Sequence, residues 1–155
     1  MSDDLKQYIA ELDIQEFRLI SGEHIIAEIL QEYDDEYAIK DPLIIEKTQS
    51  MGNAYSEWFP LSEQQYFSLS KSHILTSSGI TFDAKVFFCR LVTANNVKKS
   101  EANGKTADNN DLEMLANIVK LSAIANQGTV NHVEDELNES ELITSFINDI
   151  SGYKH

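Results

Sequence analysis

Apolar and polar positions change rhythm several times along this chain, and each rhythm implies an element. Residues 2–12 repeat at helical spacing, with Leu5, Ile9 and Leu12 on one face. Ser2 stands where an N-cap belongs, and Asp3 and Asp4 suit the first turn. "EFRLI" (16–20) reads as a strand and Ser21–Gly22 as a turn. In "HIIAEILQEY" (24–33), Ile25, Ala27 and Ile29 fall on one side, Ile26 and Leu30 on the other. Helix competes here, because Glu, Ala and Leu favour it. The glycine before this stretch and the tight "YDDEY" after it favour a strand. Alternation resumes in "EYAIKDPLIIEK", where Pro42 has no N–H for a ladder and calls for an edge or a bulge.

"TQSMGNAYSE" (48–57) reads as a loop. "WFPLS" and "QQYFSLSKSHILT" read as two further strand segments. In the second, Tyr66, Ser68, Ser70 and Ser72 alternate against Phe67, Leu69, Lys71 and His73. Four or five short strands at hairpin spacing imply a small antiparallel barrel or sandwich. "ITFDAKVFFCRLVTANNV" has the β-branched and aromatic content of a strand. It also reads as a helix opened by Thr81 or Asp83, with Ala84, Phe87, Phe88 and Leu91 on one face, and that reading is preferred. "KKSEANGKTADNND" (98–111) has no hydrophobic period and reads as a flexible linker. "DLEMLANIVKLSAIANQG" is helical to Gly128. "NESELITSFINDISG" is a second helix, capped by Asn138 with Glu141 completing a capping box and Gly152 ending it. Its apolar stripe is Leu142, Ile143, Phe146, Ile147 and Ile150, a face for the chain's own domain, a neighbouring subunit or a protein partner. There is no internal repeat.

Charge narrows the function. Twenty-six acidic residues against 12 basic ones give a net charge of −14. That balance disfavours general binding to phosphate backbones or anionic membranes, which depends on Lys and Arg. A local basic site survives the argument, since salt screens fields beyond roughly 8 Å. Cys89 is the only cysteine, so neither an internal disulfide nor a thiolate metal cluster is available, and "VFFCRLV" suggests a buried thiol. The acidic "MSDDLKQY" lacks the apolar core of a signal peptide, and no segment approaches the roughly 20 apolar residues of a membrane span. A cytoplasmic protein without membrane contact is the expectation.

The front of the chain carries a recognisable pattern. Leu19-x-x-Gly22-x-x-Ile25-x-Ala27-x-Ile29 resembles the first motif of the Sm-like (Sm, LSm and Hfq) superfamily. "YDDEYAIKD" resembles the loop joining that fold's second and third strands. The helix at 2–12 resembles the one preceding its barrel, and "FSLSKSHILT" its second motif. The likeness covers about residues 1–80. It implies a mainly β fold with helices: a small, strongly bent five-stranded open barrel behind a short N-terminal helix, closing into a homo-oligomeric ring. The domains then run 1–97 for the barrel, 98–110 for the linker and 111–155 for a C-terminal helical extension. The family's base-stacking ring and base-reading asparagine fall here on Glu36 and Ala38, and its Arg-Gly pair is replaced by "SKSHILTSSG". The nearest likeness at the second motif is the bacterial Tyr-Lys-His version. The long loop, the acidity and the C-terminal helices resemble divergent Sm-like proteins of phages.

Candidate site residues follow. Lys71 offers a charge to phosphate, and His73 offers stacking or hydrogen bonding to a base, on one strand face if the strand is regular. Ser72 lies between them, and Tyr37 offers a stacking ring beside Asp34 and Asp35. The alternatives are a solvated sheet face and a polar hairpin turn followed by a cross-strand tyrosine. The histidines His24, His73, His132 and His155 are scattered; Asp34, Asp35 and Glu36 read better as a solvated charge run than as a metal site. No cofactor motif and no catalytic constellation stands out: "MGNAY" around Gly52 lacks the GK[ST] of a phosphate loop. Two functions remain. One is a non-enzymatic ring binding single-stranded RNA near its pore. The other is an oligomeric scaffold that has lost the RNA site and works through its edges and C-terminal helices.

Overall fold

The computed structural model describes residues 2–50, 52–104 and 109–126. They group into two compact units: Glu11–Lys85, and the residues up to Ala10 together with those from Val86 on. The chain passes between them twice, at the end of the Ser2–Glu11 helix and after the first turn of the Phe82–Ala102 helix. The C-terminal stripe Leu142, Ile143, Phe146, Ile147 and Ile150 lies outside the described residues, as do His132, His155 and the expected helix end at Gly128.

The first unit is an open antiparallel sheet. Its strands are β1 (Ile14–Leu19), β2 (His24–Glu32), β3 (Glu36–Thr48), β4 (Gly52–Glu57), β5 (Tyr66–Ser70) and β6 (Ile74–Gly79). The order is β4-β3-β2-β1-β6, and β5 also pairs with β3. β3 is long enough to hold two partners on one side: Glu36–Lys40 face β5, and Leu43–Thr48 face β4. The bend between these halves sits at Asp41–Pro42. There the register against β2 slips between Ile26 and Glu28, and Asp41 takes a φ of 49°. Pro42 is thus accommodated at a bulge, as its missing N–H requires. A second slip, between Ile29 and Gln31, bends β2 again. The β1–β2 turn is closed by Gly22 N–H donating to the Leu19 carbonyl at 2.9 Å, and Gly22 takes a φ of 93°, open to glycine at little cost.

Alternation places Phe17, Leu19, Ile25, Ala27, Ile39 and Leu69 in one buried cluster. Ile29, Tyr37, Trp58 and Phe67 pack around it, half-exposed. Ile26 is buried on the opposite side, so β2 is two-sided.

Three expectations about the sheet change. Residues 48–57 are not a loop, because Gly52–Glu57 pair with Leu43–Thr48 as β4. "WFPLS" is not a strand; Trp58–Leu61 form bends and turns, tied back by Trp58 N–H to the Pro42 carbonyl at 3.0 Å. "QQYFSLSKSHILT" is not one strand. A 3-10 turn over Lys71–His73 separates β5 from β6, so Lys71 and His73 do not share a regular strand face. The reason is tertiary: β5 pairs with β3 while β6 pairs with β1, and the chain must turn to cross between them.

The second unit is helical: α1 (Ser2–Glu11), α2 (Phe82–Ala102) and α3 (Asn109–Asn126), the outer residues of α1 and α2 extending past the unit boundary. The helical reading of 82–97 holds. Thr81 Oγ1 accepts the Ala84 N–H at 3.3 Å, an N-cap contact. The polar run from Lys98 does not end α2, which continues to Ala102 and stops at Gly104, with φ 67°. Ala94 and Val97 bury against Leu115, with Leu112 and Val119 beside them. Cys89 is buried. No helix among the described residues is long and apolar enough to cross a membrane.

Candidate functional site

The β2–β3 hairpin turns tightly, with Tyr33 N–H donating to the Glu36 carbonyl at 2.8 Å. That closure sets Glu32 directly opposite Tyr37 in the ladder. On the other side of β3, Tyr37 faces Leu69 of β5, which brings the following 3-10 turn alongside. Lys71 N–H then donates to the Asp35 carbonyl at 2.9 Å, fastening the turn to the hairpin tip.

Three predicted residues meet here. Lys71 Nζ lies 4.9 Å from the centroid of the Tyr37 ring, a cation–π distance, and Asp34 is near enough to favour its charge. Tyr37 is seated in turn on Phe17, centroid to centroid 5.9 Å. Ser72 is exposed, its hydroxyl 2.8 Å from that of Ser70. His73 departs from the group. It lines a separate cavity toward the β1–β2 turn, and its carbonyl accepts the Ile20 N–H at 2.9 Å.

At this hairpin the residue not anticipated from the sequence is Glu32. Its Oε1 accepts from Lys71 Nζ at 2.7 Å. The hydrogen bond to Glu32 is the main cause that raises the Lys71 pKa above 10.5, and the same bond holds the Glu32 carboxyl below 4.5. The Lys71 charge is therefore already answered within the chain. Around it stand Asp34, Asp35 and Glu36, all exposed, and Glu36 accepts a hydrogen bond from the Ser68 hydroxyl. A signal for Glu32 existed. Folding the hairpin on "YDDE" makes Glu32 and Tyr37 cross-strand neighbours. What the sequence lacked was the approach of Lys71, 39 positions away.

The second place of chemical interest is the cavity that takes His73. Its polar wall is Glu23, whose Oε1 accepts the Trp58 indole N–H at 3.1 Å and whose Oε2 accepts the Ser21 hydroxyl at 3.0 Å. Neither Glu23 nor Trp58 was marked by sequence reasoning, since 35 positions separate them. Among the described residues, no three His, Cys, Asp or Glu side chains gather as metal ligands. No family model matches the chain, and no curated protein matches it.

Proposed function

We propose that this chain is a non-enzymatic, Sm-like assembly module that joins copies of itself through the free edges of its sheet. The observation that carries the reading is the strand order. Among the described residues β1, β2 and β3 are each paired on both sides, whereas β4, β5 and β6 each have one partner, β5 and β6 being the neighbours joined by the 3-10 turn. Unpaired edges on one sheet are a template for strand addition, and a head-to-tail interface of that kind closes into a ring when the rotation allows. β6 also carries Leu75 at a register slip between Ile74 and Thr76, an apolar side chain on an edge that the described residues leave 72% exposed. The acidity around Lys71 favours this scaffold reading over RNA binding, because a neutralised lysine among carboxylates attracts phosphate weakly.

Sedimentation of the full chain tests it. A discrete oligomer is expected, and Leu75→Glu should shift it toward the 17.5 kDa monomer with little loss of fold, since the position is exposed. A wild-type monomer at micromolar concentration sinks the reading.

Single-stranded RNA binding is the second reading, and one observation favours it. Asp34, Tyr37, Lys71 and Ser72 converge at one end of the sheet, where an aromatic ring lies under a cation, a base-stacking arrangement once the cation is released. His73 follows directly in the same turn. A labelled oligonucleotide that fails to shift even at low salt removes this reading and leaves the first.

A further inference from the structure

The cavity beside the β1–β2 turn holds about 450 Å³, within the range of small-ligand sites. Leu19, Ile20 and Leu69 supply an apolar surface, Trp58 an aromatic wall, and Glu23 and His73 the polar groups. The frame is rigid. Leu19 N–H donates to the Glu23 carbonyl at 2.9 Å, Ile20 N–H to the His73 carbonyl and Trp58 N–H to the Pro42 carbonyl, so the β1–β2 turn is tied to the 3-10 turn and Trp58 is tied to β3 by backbone bonds. The Glu23 carboxylate is held at each oxygen by a neutral donor, Trp58 on one and Ser21 on the other. Those bonds fix its position without cancelling its charge. None of the residues lining the cavity is Lys or Arg.

We infer that this cavity is a binding site for an organic cation with an apolar body, an ammonium or guanidinium whose carbon skeleton enters the pocket while its charge meets Glu23. Charge complementarity carries the choice. A carboxylate fixed by neutral donors, in a cavity where His73 is the one other titratable side chain, repels an anionic ligand and leaves a neutral one without a partner for the charge. The indole adds to the attraction, because aromatic faces draw cations. The same chemistry is found in a free amine and in a Lys or Arg side chain flanked by apolar residues in a protein partner. The site does not depend on self-assembly, since every wall comes from one subunit.

Trp58 is the only tryptophan in the chain, so its emission reports the cavity directly. Titration of the full chain with phenethylammonium should give a saturable change in that emission. The neutral isostere 2-phenylethanol should give none over the same range. Glu23→Gln keeps an acceptor for Trp58 but removes the charge, and it should weaken binding by about tenfold. Ile20→Ala trims an exposed wall without touching the core and should weaken it by a smaller factor. An acetylated and amidated Leu-Lys-Leu peptide separates the sources: tighter binding than the free amine assigns a protein partner, equal or weaker binding a small amine. A linear, non-saturating response, an equal response to the alcohol, or unchanged affinity in Glu23→Gln overturns the inference.

Discussion

Two ends of the same sheet each hold a carboxylate against an aromatic ring, and they treat it in opposite ways. At the β2–β3 hairpin, Glu32 meets a cation, Lys71, which also sits over Tyr37. At the β1–β2 turn, Glu23 meets two neutral donors, from Trp58 and Ser21. The first carboxylate is cancelled, and the second is positioned but still charged. The carboxylate is a glutamate next to a tight turn in both places. The difference lies in what the rest of the chain brings to each, a lysine in one case and an indole in the other. A charge that is already paired is poorly available to a ligand, whereas one that is oriented and unpaired is ready for one.

The comparison can be broken from beneath. Phe17 is fully buried and shares one cluster with the supports of both ends, touching Tyr37 directly and packing in the core against which Trp58 lies. Phe17→Ala should cost about 3–5 kcal/mol and loosen both sites together. Urea unfolding followed by circular dichroism measures the cost. A loss that disturbs Trp58 emission but leaves Tyr37 in place would show that the ends are supported separately.

Trp58→Phe addresses one end alone. It keeps an aromatic ring and removes the donor to Glu23, and should cost about 1 kcal/mol in the same unfolding experiment. No change in the urea midpoint would mean that the indole N–H does not hold the carboxylate in solution.

Glu32→Gln addresses the other end. Removing the charge that answers Lys71 should raise retention of a labelled single-stranded oligonucleotide several-fold at low salt, and Glu32→Gln with Lys71→Ala should return it to the starting level. Retention that rises equally in the double variant would place any contact away from Lys71.

The smallest effect is the pH dependence of the Lys71–Glu32 pair. Glu32 titrates below its ordinary 4.5, so its contribution to stability is complete above that value and is lost as pH falls toward the lowered one. Lys71 titrates above its ordinary 10.5, so its contribution is complete below that value and is lost as pH rises through the raised one. Glu32 is exposed and Lys71 partly so, and the effect should be slight and weaker in salt. Thermal melts of wild type and Glu32→Gln across the acid range should converge at the lowest pH. Parallel curves would show that the pair adds nothing to the fold.

Much of the sheet was legible in the residues. Ile25, Ala27 and Ile39 announced a buried face through their alternation, Pro42 announced the bulge, and Gly22 the turn. The first helix and the helix after Thr81 were legible from spacing and capping. The split of 64–76 was not legible, because Tyr66–Ser70 and Ile74–Gly79 alternate as one strand would, and nothing local says that their partners are different strands. β4 was hidden for a related reason: "GNAYSE" has weak strand preference and pairs only because β3 supplies an edge. The continuation of α2 through Lys98–Ala102 was masked by polarity, although these residues favour helix and Asn103–Gly104 marks its end.

The candidate sites divide along the same line. The sequence by itself determined which side chains stand at the hairpin tip, since four residues between Glu32 and Tyr37 leave the backbone little choice but a tight turn. It also determined the strong negative balance that any ligand must meet. Only the tertiary structure decided that Lys71 would be spent on Glu32, that His73 would leave its neighbours for another cavity, and that Trp58 would reach back to Glu23. Local pattern specifies which face of an element is buried, because that depends on side-chain period. It does not specify which distant element arrives opposite, because that depends on the strand order of the whole sheet.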